Sequence, residues 1–107
     1  MDITTARHQL AGITTALDLL EAGGVAHICG ASVGSLGPMI HVYGGDDGRG
    51  AWASVVAALP GCAAEFAWHQ SDLCCYATPP DVPVRVLVRV GGLSAGLDPA
   101  ALGLVVP

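Results

Sequence analysis

Residues 82–90 read VPVRVLVRV, and valine occupies every second position from 84 to 90. Between these valines stand Arg85, Leu87 and Arg89, so one side of the segment is uniformly apolar while the other carries two charges. Side chains of a β-strand alternate between its two faces, and this pattern is typical of a strand that packs on one face only. We therefore predict a strand over 82–90, in a sheet with one buried side and one side turned to solvent.

Four further strands are predicted from shorter apolar segments. Each one lies next to a turn rich in Gly, Pro, Ser or Asp, which are the residues that end strands and form turns. The predicted strands are 25–29, 39–43, 63–69 and 73–78. The last two of these flank Gln70-Ser71-Asp72 and are expected to form a hairpin.

Two helices are predicted, the first over residues 3–22. Its apolar stripe has spacings of 4, 3, 4 and 3 and consists of Ala6, Leu10, Ile13, Leu17 and Leu20. Asp2 or Thr4 can cap its start, and Gly23-Gly24 can end it. The second helix is predicted over 51–59, with Asp46 or Asp47 as its cap and Pro60-Gly61 after its end.

The element order α-β-β-α-β-β-β defines the expected fold. It predicts a single α+β domain over residues 1–107, with a mainly antiparallel five-stranded sheet and two helices on one face. Residues 92–107 form an apolar tail interrupted by Gly and Pro, with one helical turn expected after Asp98-Pro99.

Composition narrows the possible partners. The 107 residues carry a formal net charge of −5, from nine acidic residues and four arginines, without any lysine. Nucleic-acid binders usually have a basic domain, so nucleic acid is an unfavourable partner. Apolar residues make up 52% of the sequence against 12% charged, and this imbalance predicts that a partner or a second copy covers part of the surface.

The expected compartment is the cytoplasm. The first residues lack the basic and apolar regions of a secretory signal, and no segment approaches the ~18 apolar residues of a membrane span. The four cysteines are therefore expected to be free thiols.

Strand alternation predicts which side chains lie on the side of the sheet away from the helices. They are Met39, His41, Tyr43, Glu65, His69, Arg85 and Arg89. Further members on weaker grounds are His27, Cys29, Cys74 and Tyr76, because a shift of one residue would turn a strand over. We predict a binding surface made of His41, Tyr43, Glu65, His69, Arg85 and Arg89.

Three interpretations of this surface remain open. It can be a solvated sheet face on which Arg85 and Arg89 pair with Glu65. It can contact a protein, which the presence of Tyr, Arg and Met without Lys favours. Binding of single-stranded nucleic acid through Tyr43, Tyr76 and the arginines is opposed by the acidic total charge.

Catalytic and metal-binding motifs are weak. Gly30–Gly34 matches G-x-S-x-G around Ser32, but a second strand is expected next instead of the helix that a nucleophile elbow needs. The loop 44–50 lacks the lysine of a P-loop. His27, Cys29, His41 and His69 are the candidate zinc ligands, but their spacing matches no compact zinc signature. We expect no metal and no cofactor.

The sequence thus favours a non-enzymatic function. The prediction is a small acidic accessory or regulatory protein that binds another protein, or a second copy of itself, through the solvent-facing side of the sheet. The first alternative is a small-ligand or zinc-binding domain that uses the same His, Cys and Arg residues. The second is a small enzyme of unknown class, for which no nucleophile–base pair can be identified.

Overall fold

A computed structural model of the chain describes residues 1–45, 48–91 and 96–107. The helices are α1 (Ile3–Ala22) and α2 (Arg49–Ala58), and a 3-10 turn covers Pro99–Leu102. The strands are β1 (Ile28–Ser32), β2 (Met39–Val42), β3 (Ala63–His69), β4 (Asp72–Thr78) and β5 (Arg85–Val90). The predicted α+β fold, with two helices and five strands in the expected order, is confirmed.

The five strands form one sheet in the order β1-β2-β5-β4-β3. Three of the neighbouring pairs are antiparallel, and β2 pairs with β5 in parallel, so the sheet is mixed. The chain leaves β2 through α2, makes the β3–β4 hairpin and returns beside β2 in the same direction. As a result β5, the strand with the clearest alternation, is the central strand with a neighbour on each side.

The first strand begins three residues later than predicted, at Ile28 instead of residue 25. The reason is the end of α1, where the Val25 N–H donates to the Leu20 carbonyl (2.9 Å) and the Gly24 N–H donates to the Glu21 carbonyl (3.0 Å). Gly24 has a φ of 90°, so the three residues after the helix form a Schellman-type termination. Val25 therefore closes the helix and does not pair in the sheet.

Strand β5 and helix α2 also begin at other residues than predicted. The last strand begins at Arg85, not at residue 82, because Pro83 has no N–H and the Val84 N–H donates locally to the Val82 carbonyl (2.7 Å). Helix α2 begins at Arg49 with Gly48, at a φ of 74°, as its N-cap. The predicted caps Asp46 and Asp47 lie outside the described residues.

Helix α1 is capped as predicted, but its apolar stripe is not buried along its whole length. The Thr5 N–H donates to the Asp2 carboxylate (2.7 Å), and this hydrogen bond lowers the pKa of Asp2. The buried residues of α1 are Ile13, Ala16 and Leu20, whereas Leu10 is 53% exposed. The predicted stripe is therefore wrong at Leu10, because α1 meets the core only from its middle onward.

Both helices pack on the same side of the sheet, as predicted. The inward-facing residues Ile40, Val86 and Val88 belong to one core cluster with side chains of α1 and α2. Trp52 of α2 is fully buried, and its ring lies 5.6 Å from that of Phe66 in an edge-to-face arrangement.

The C-terminal segment docks on α2 of its own chain. The Trp52 indole N–H donates to the Val105 carbonyl (2.7 Å), and the Arg49 Nε–H donates to the Leu102 carbonyl (2.8 Å). Leu104, between these two carbonyls, is buried in the core cluster. The helical turn predicted after Asp98 is present at Pro99–Leu102, and residues 92–95 of the predicted tail lie outside the described part of the chain.

Candidate functional site

The side of the sheet away from the helices, here called the open face, carries most of the predicted binding residues. One row of neighbours crosses all five strands, from Gly30 through His41, Leu87 and Tyr76 to Glu65. Paired residues point to the same face of a sheet, so the register fixes the remaining members. The open face includes Met39, His41, Glu65, His69, Asp72, Cys74, Tyr76, Arg85, Leu87 and Arg89, beside the small residues Gly30, Ser32 and Ala67.

Five of the six predicted binding residues lie on this face, and Tyr43 lies at its margin. Tyr43 is one residue beyond β2 and is 58% exposed. It lines a cavity of about 230 Å³ together with His27 and the α2 residues Ala51 and Ser54. Tyr43 therefore borders α2 as well as the sheet.

The centre of the open face is apolar and packed. Leu87 is only 7% exposed and Cys74 only 9%, although neither belongs to the core cluster beneath the helices. Met39 and Tyr76 beside them are half-buried. The side chains of the open face thus bury this centre among themselves, and the charged groups stand around it.

Two arginines of β5 make different contacts on this face. Arg89 pairs with Asp72 (3.3 Å), and not with Glu65 as the solvated-face interpretation assumed. Arg85 places its guanidinium carbon 4.0 Å from the centre of the Tyr76 ring, a cation–π contact. Glu65 lies opposite Tyr76, in the row of neighbours that contains Leu87, whereas Arg89 lies in the row of Cys74 and Ala67.

Asp72 is a member of the open face that the sequence analysis placed in a turn. The hairpin turn contains only Gln70 and Ser71, with Gln70 at a φ of 57°, so Asp72 is already the first residue of β4. It lies opposite His69 and next to the guanidinium of Arg89. A two-residue turn between two strands was the pattern that could have revealed this position.

The candidate zinc ligands are spread over the sheet. His27 precedes β1, Cys29 lies at an irregularity in the β1 pairing, and His41 is on β2. His69 is on β3, three strand spacings across the sheet from the strand of His41 and four residues beyond Glu65, which shares a row with His41. Among the described residues, no group of three or more His, Cys, Asp or Glu side chains is close enough to hold a metal ion.

Ser32, of the G-x-S-x-G match, is the last residue of β1 and pairs with Met39. The next element is β2 and not a helix, so the backbone lacks the strand–turn–helix geometry that a nucleophile elbow requires.

All four cysteines are free thiols, and three of them are buried. Burial raises the pKa of Cys62, and it raises the pKa of Cys75 to about 12. Since the thiolate is the reactive form, these two groups are structural side chains. Cys29 is the exposed thiol.

In comparisons with known proteins, no family model, no curated protein and no solved structure matches the chain. Within the described residues, no helix is both long enough and apolar enough to cross a membrane.

Proposed function

We propose that this chain is a non-enzymatic accessory or regulatory protein that binds another protein, or a second copy of itself, through the open face of its sheet. The proposal includes a cytoplasmic location, which the four free thiols support. We propose a protein as the partner rather than a nucleic acid, because the net charge is −5 and the sequence has no lysine.

The observation that carries the proposal is the arrangement of the open face. A packed apolar centre at Leu87 and Cys74 is surrounded by the charged or polar side chains of Glu65, His69 and Arg89. Protein interfaces share this organisation, because charged residues are rare at their centre and polar residues form their rim. Arginine and tyrosine, both present here, are the residue types that contribute most to such contacts.

Site-specific photo-cross-linking in the host organism tests the proposal. Benzoylphenylalanine in place of Glu65 puts the photoreactive group on the open face. Benzoylphenylalanine in place of Asp18 puts it on the exposed side of α1. Both positions are exposed and both substitutions remove one negative charge, so they are matched. We expect a discrete adduct from position 65 and none from position 18, because only the open face binds the partner.

The mass of the adduct identifies the partner. An increase of one chain mass, 10.7 kDa, identifies a second copy, and any other increase identifies a different protein by peptide sequencing. Adducts from position 18 alone, or from neither position, would contradict the proposal.

A further inference from the structure

A small pocket at one end of the open face has a single charged residue in its wall. The pocket has a volume of about 280 Å³ and is lined by residues 32–39, which join β1 to β2, and by Arg85. None of the lining residues is acidic, and Ser32 and Ser35 are the hydroxyl-bearing ones. The local charge is therefore positive, although the net charge of the chain is −5.

Arg85 is held in place, and its guanidinium donates no hydrogen bond to the residues that the structure describes. Its guanidinium lies over the Tyr76 ring at 4.0 Å, and its backbone N–H donates to the Pro38 carbonyl (3.2 Å). Within the part of the chain that the structure describes, its side chain makes no ion pair, whereas Arg89 on the same strand pairs with Asp72. Stacking on a ring uses the face of a guanidinium and leaves the N–H donors at its edge available.

The loop that forms the rest of the pocket is fixed to α1. The Gln9 amide makes two hydrogen bonds with the backbone of Gly34, donating to its carbonyl and accepting from its N–H, both at 3.0 Å. The Gly37 N–H donates to the Gly34 carbonyl (3.0 Å) and closes a turn in the same loop. A pocket whose walls are held before binding loses less entropy when a ligand enters.

We propose that this pocket binds the carboxylate of an aspartate or glutamate side chain, with Arg85 as the residue that pairs with it. The inference rests on the proposed function for the origin of that side chain, which is the protein partner of the open face.

The residues that line the pocket favour a carboxylate over a phosphate as its ligand. One guanidinium supplies one positive charge and a planar pair of N–H donors, which matches a planar monoanion. Phosphate groups carry nearly two charges and are usually bound by clusters of arginines. Among the described residues that line the pocket, Arg85 is the sole basic one.

NMR titration of the purified full chain tests the inference without any partner. The probes are sodium acetate and the blocked tripeptide N-acetyl-Ala-Glu-Ala-amide, at constant ionic strength, with the Ala-Gln-Ala peptide and inorganic phosphate as comparisons. We expect saturable shifts of the Arg85 Nε–H and of the amides of residues 32–37 with acetate and the glutamate peptide. The glutamine peptide should produce none, and phosphate should bind no more tightly than acetate.

Arginine variants assign the effect to one side chain. Arg85→Gln should weaken acetate binding at least about tenfold, and Arg85→Lys should weaken it as well because lysine lacks the planar pair of donors. Arg89→Gln is the matched control on the same strand and face and should leave the affinity within about twofold. The unfolding midpoint of each variant shows whether the fold is retained, and Arg85→Lys serves if Arg85→Gln is unfolded.

Three results would overturn the inference: no saturable shift around Arg85, an equal loss from the Arg89→Gln variant, or phosphate bound more than about tenfold tighter than acetate. These results concern the pocket alone. If acetate fails to bind while position 65 still cross-links to a partner, only the carboxylate pocket is wrong. If acetate binds at Arg85 and no partner cross-links to the open face, the pocket does bind carboxylates, and the proposed function, with the partner as the source of the carboxylate, is wrong.

Discussion

At the residue scale, Gly23 determines how closely the two helices approach. A Cβ atom at this position would lie 2.3 Å from the Cβ of Ala58 and 2.8 Å from its Cα. The φ of Gly23 is −85°, which any residue can adopt, so the requirement for glycine here comes from packing and not from backbone conformation. Gly50 lies near the start of α2, and apart from its own helix backbone and chain neighbours no atom of the described residues is within 4 Å of the corresponding Cβ position.

These two glycines give opposite predictions for the same substitution. Gly23→Ala should lower the free energy of unfolding by about 1–3 kcal/mol, because the helices must move apart to accommodate the methyl group. Gly50→Ala should raise it by about 0.4–1 kcal/mol, because alanine restricts the unfolded chain and meets nothing in the fold. Urea unfolding followed by circular dichroism measures both values. Similar changes from both substitutions would show that α1 and α2 do not meet at Gly23.

From the sequence, Gly23 could be identified only as a residue that ends a helix. The pair Gly23-Gly24 after an apolar stripe indicates a helix terminus, and α1 does end at Ala22. The contact with Ala58 depends on where a distant helix lies, and no local pattern carries that information. The predicted stripe was wrong at Leu10 for a similar reason, because the spacing of apolar residues does not show how far along the helix the core extends.

At the element scale, the C-terminal segment packs against α2 and is held there by hydrogen bonds. Arg49 and Trp52, one turn apart on α2, donate to the carbonyls of Leu102 and Val105, and Leu104 of the same segment is buried in the core cluster. The Trp52 indole is fully buried, so its N–H depends on the Val105 carbonyl for a partner.

Loss of this docking should be costly. Leu104→Ala should lower the free energy of unfolding by about 2–5 kcal/mol, the range for removing a buried leucine side chain. Val106→Ala is the control in the same segment, since Val106 is 55% exposed, and should change stability by less than about 0.5 kcal/mol. Thermal unfolding monitored by tryptophan fluorescence measures both. A Leu104→Ala variant as stable as the parent would mean that the segment is not docked in solution.

The elements differ in how well the sequence predicts them. The strand at residues 63–69 has the predicted bounds because turn residues flank it at both ends. The first strand was placed three residues too early, since an apolar residue after a helix can close a Schellman end as well as begin a strand. The parallel pairing of β2 with β5 follows from the path of the chain around the sheet, which alternation within a strand does not encode.

At the scale of the whole molecule, none of the described helices packs on the open face of the sheet. Alternation within strands predicted most of the side chains that lie there, because both helices do pack on the other side, but it missed Asp72 and placed Tyr43 on a face that it only borders. It could not predict that Leu87 and Cys74 are buried on that side, nor that Arg89 pairs with Asp72 while Arg85 stacks on Tyr76. Those contacts depend on the register between strands, which the sequence does not give.

The most direct test of the account compares two exposed arginines, Arg89 on the open face and Arg7 on α1. Affinity is measured for the partner that cross-linking identifies, whether another protein or a second copy, with Arg89→Glu and Arg7→Glu chains whose unfolding midpoints are also determined. Both substitutions change the net charge equally, so only position distinguishes them. We expect Arg89→Glu to weaken binding at least about tenfold and Arg7→Glu to leave it unchanged. Weaker binding by the Arg7→Glu chain with unchanged binding by the Arg89→Glu chain would contradict this expectation.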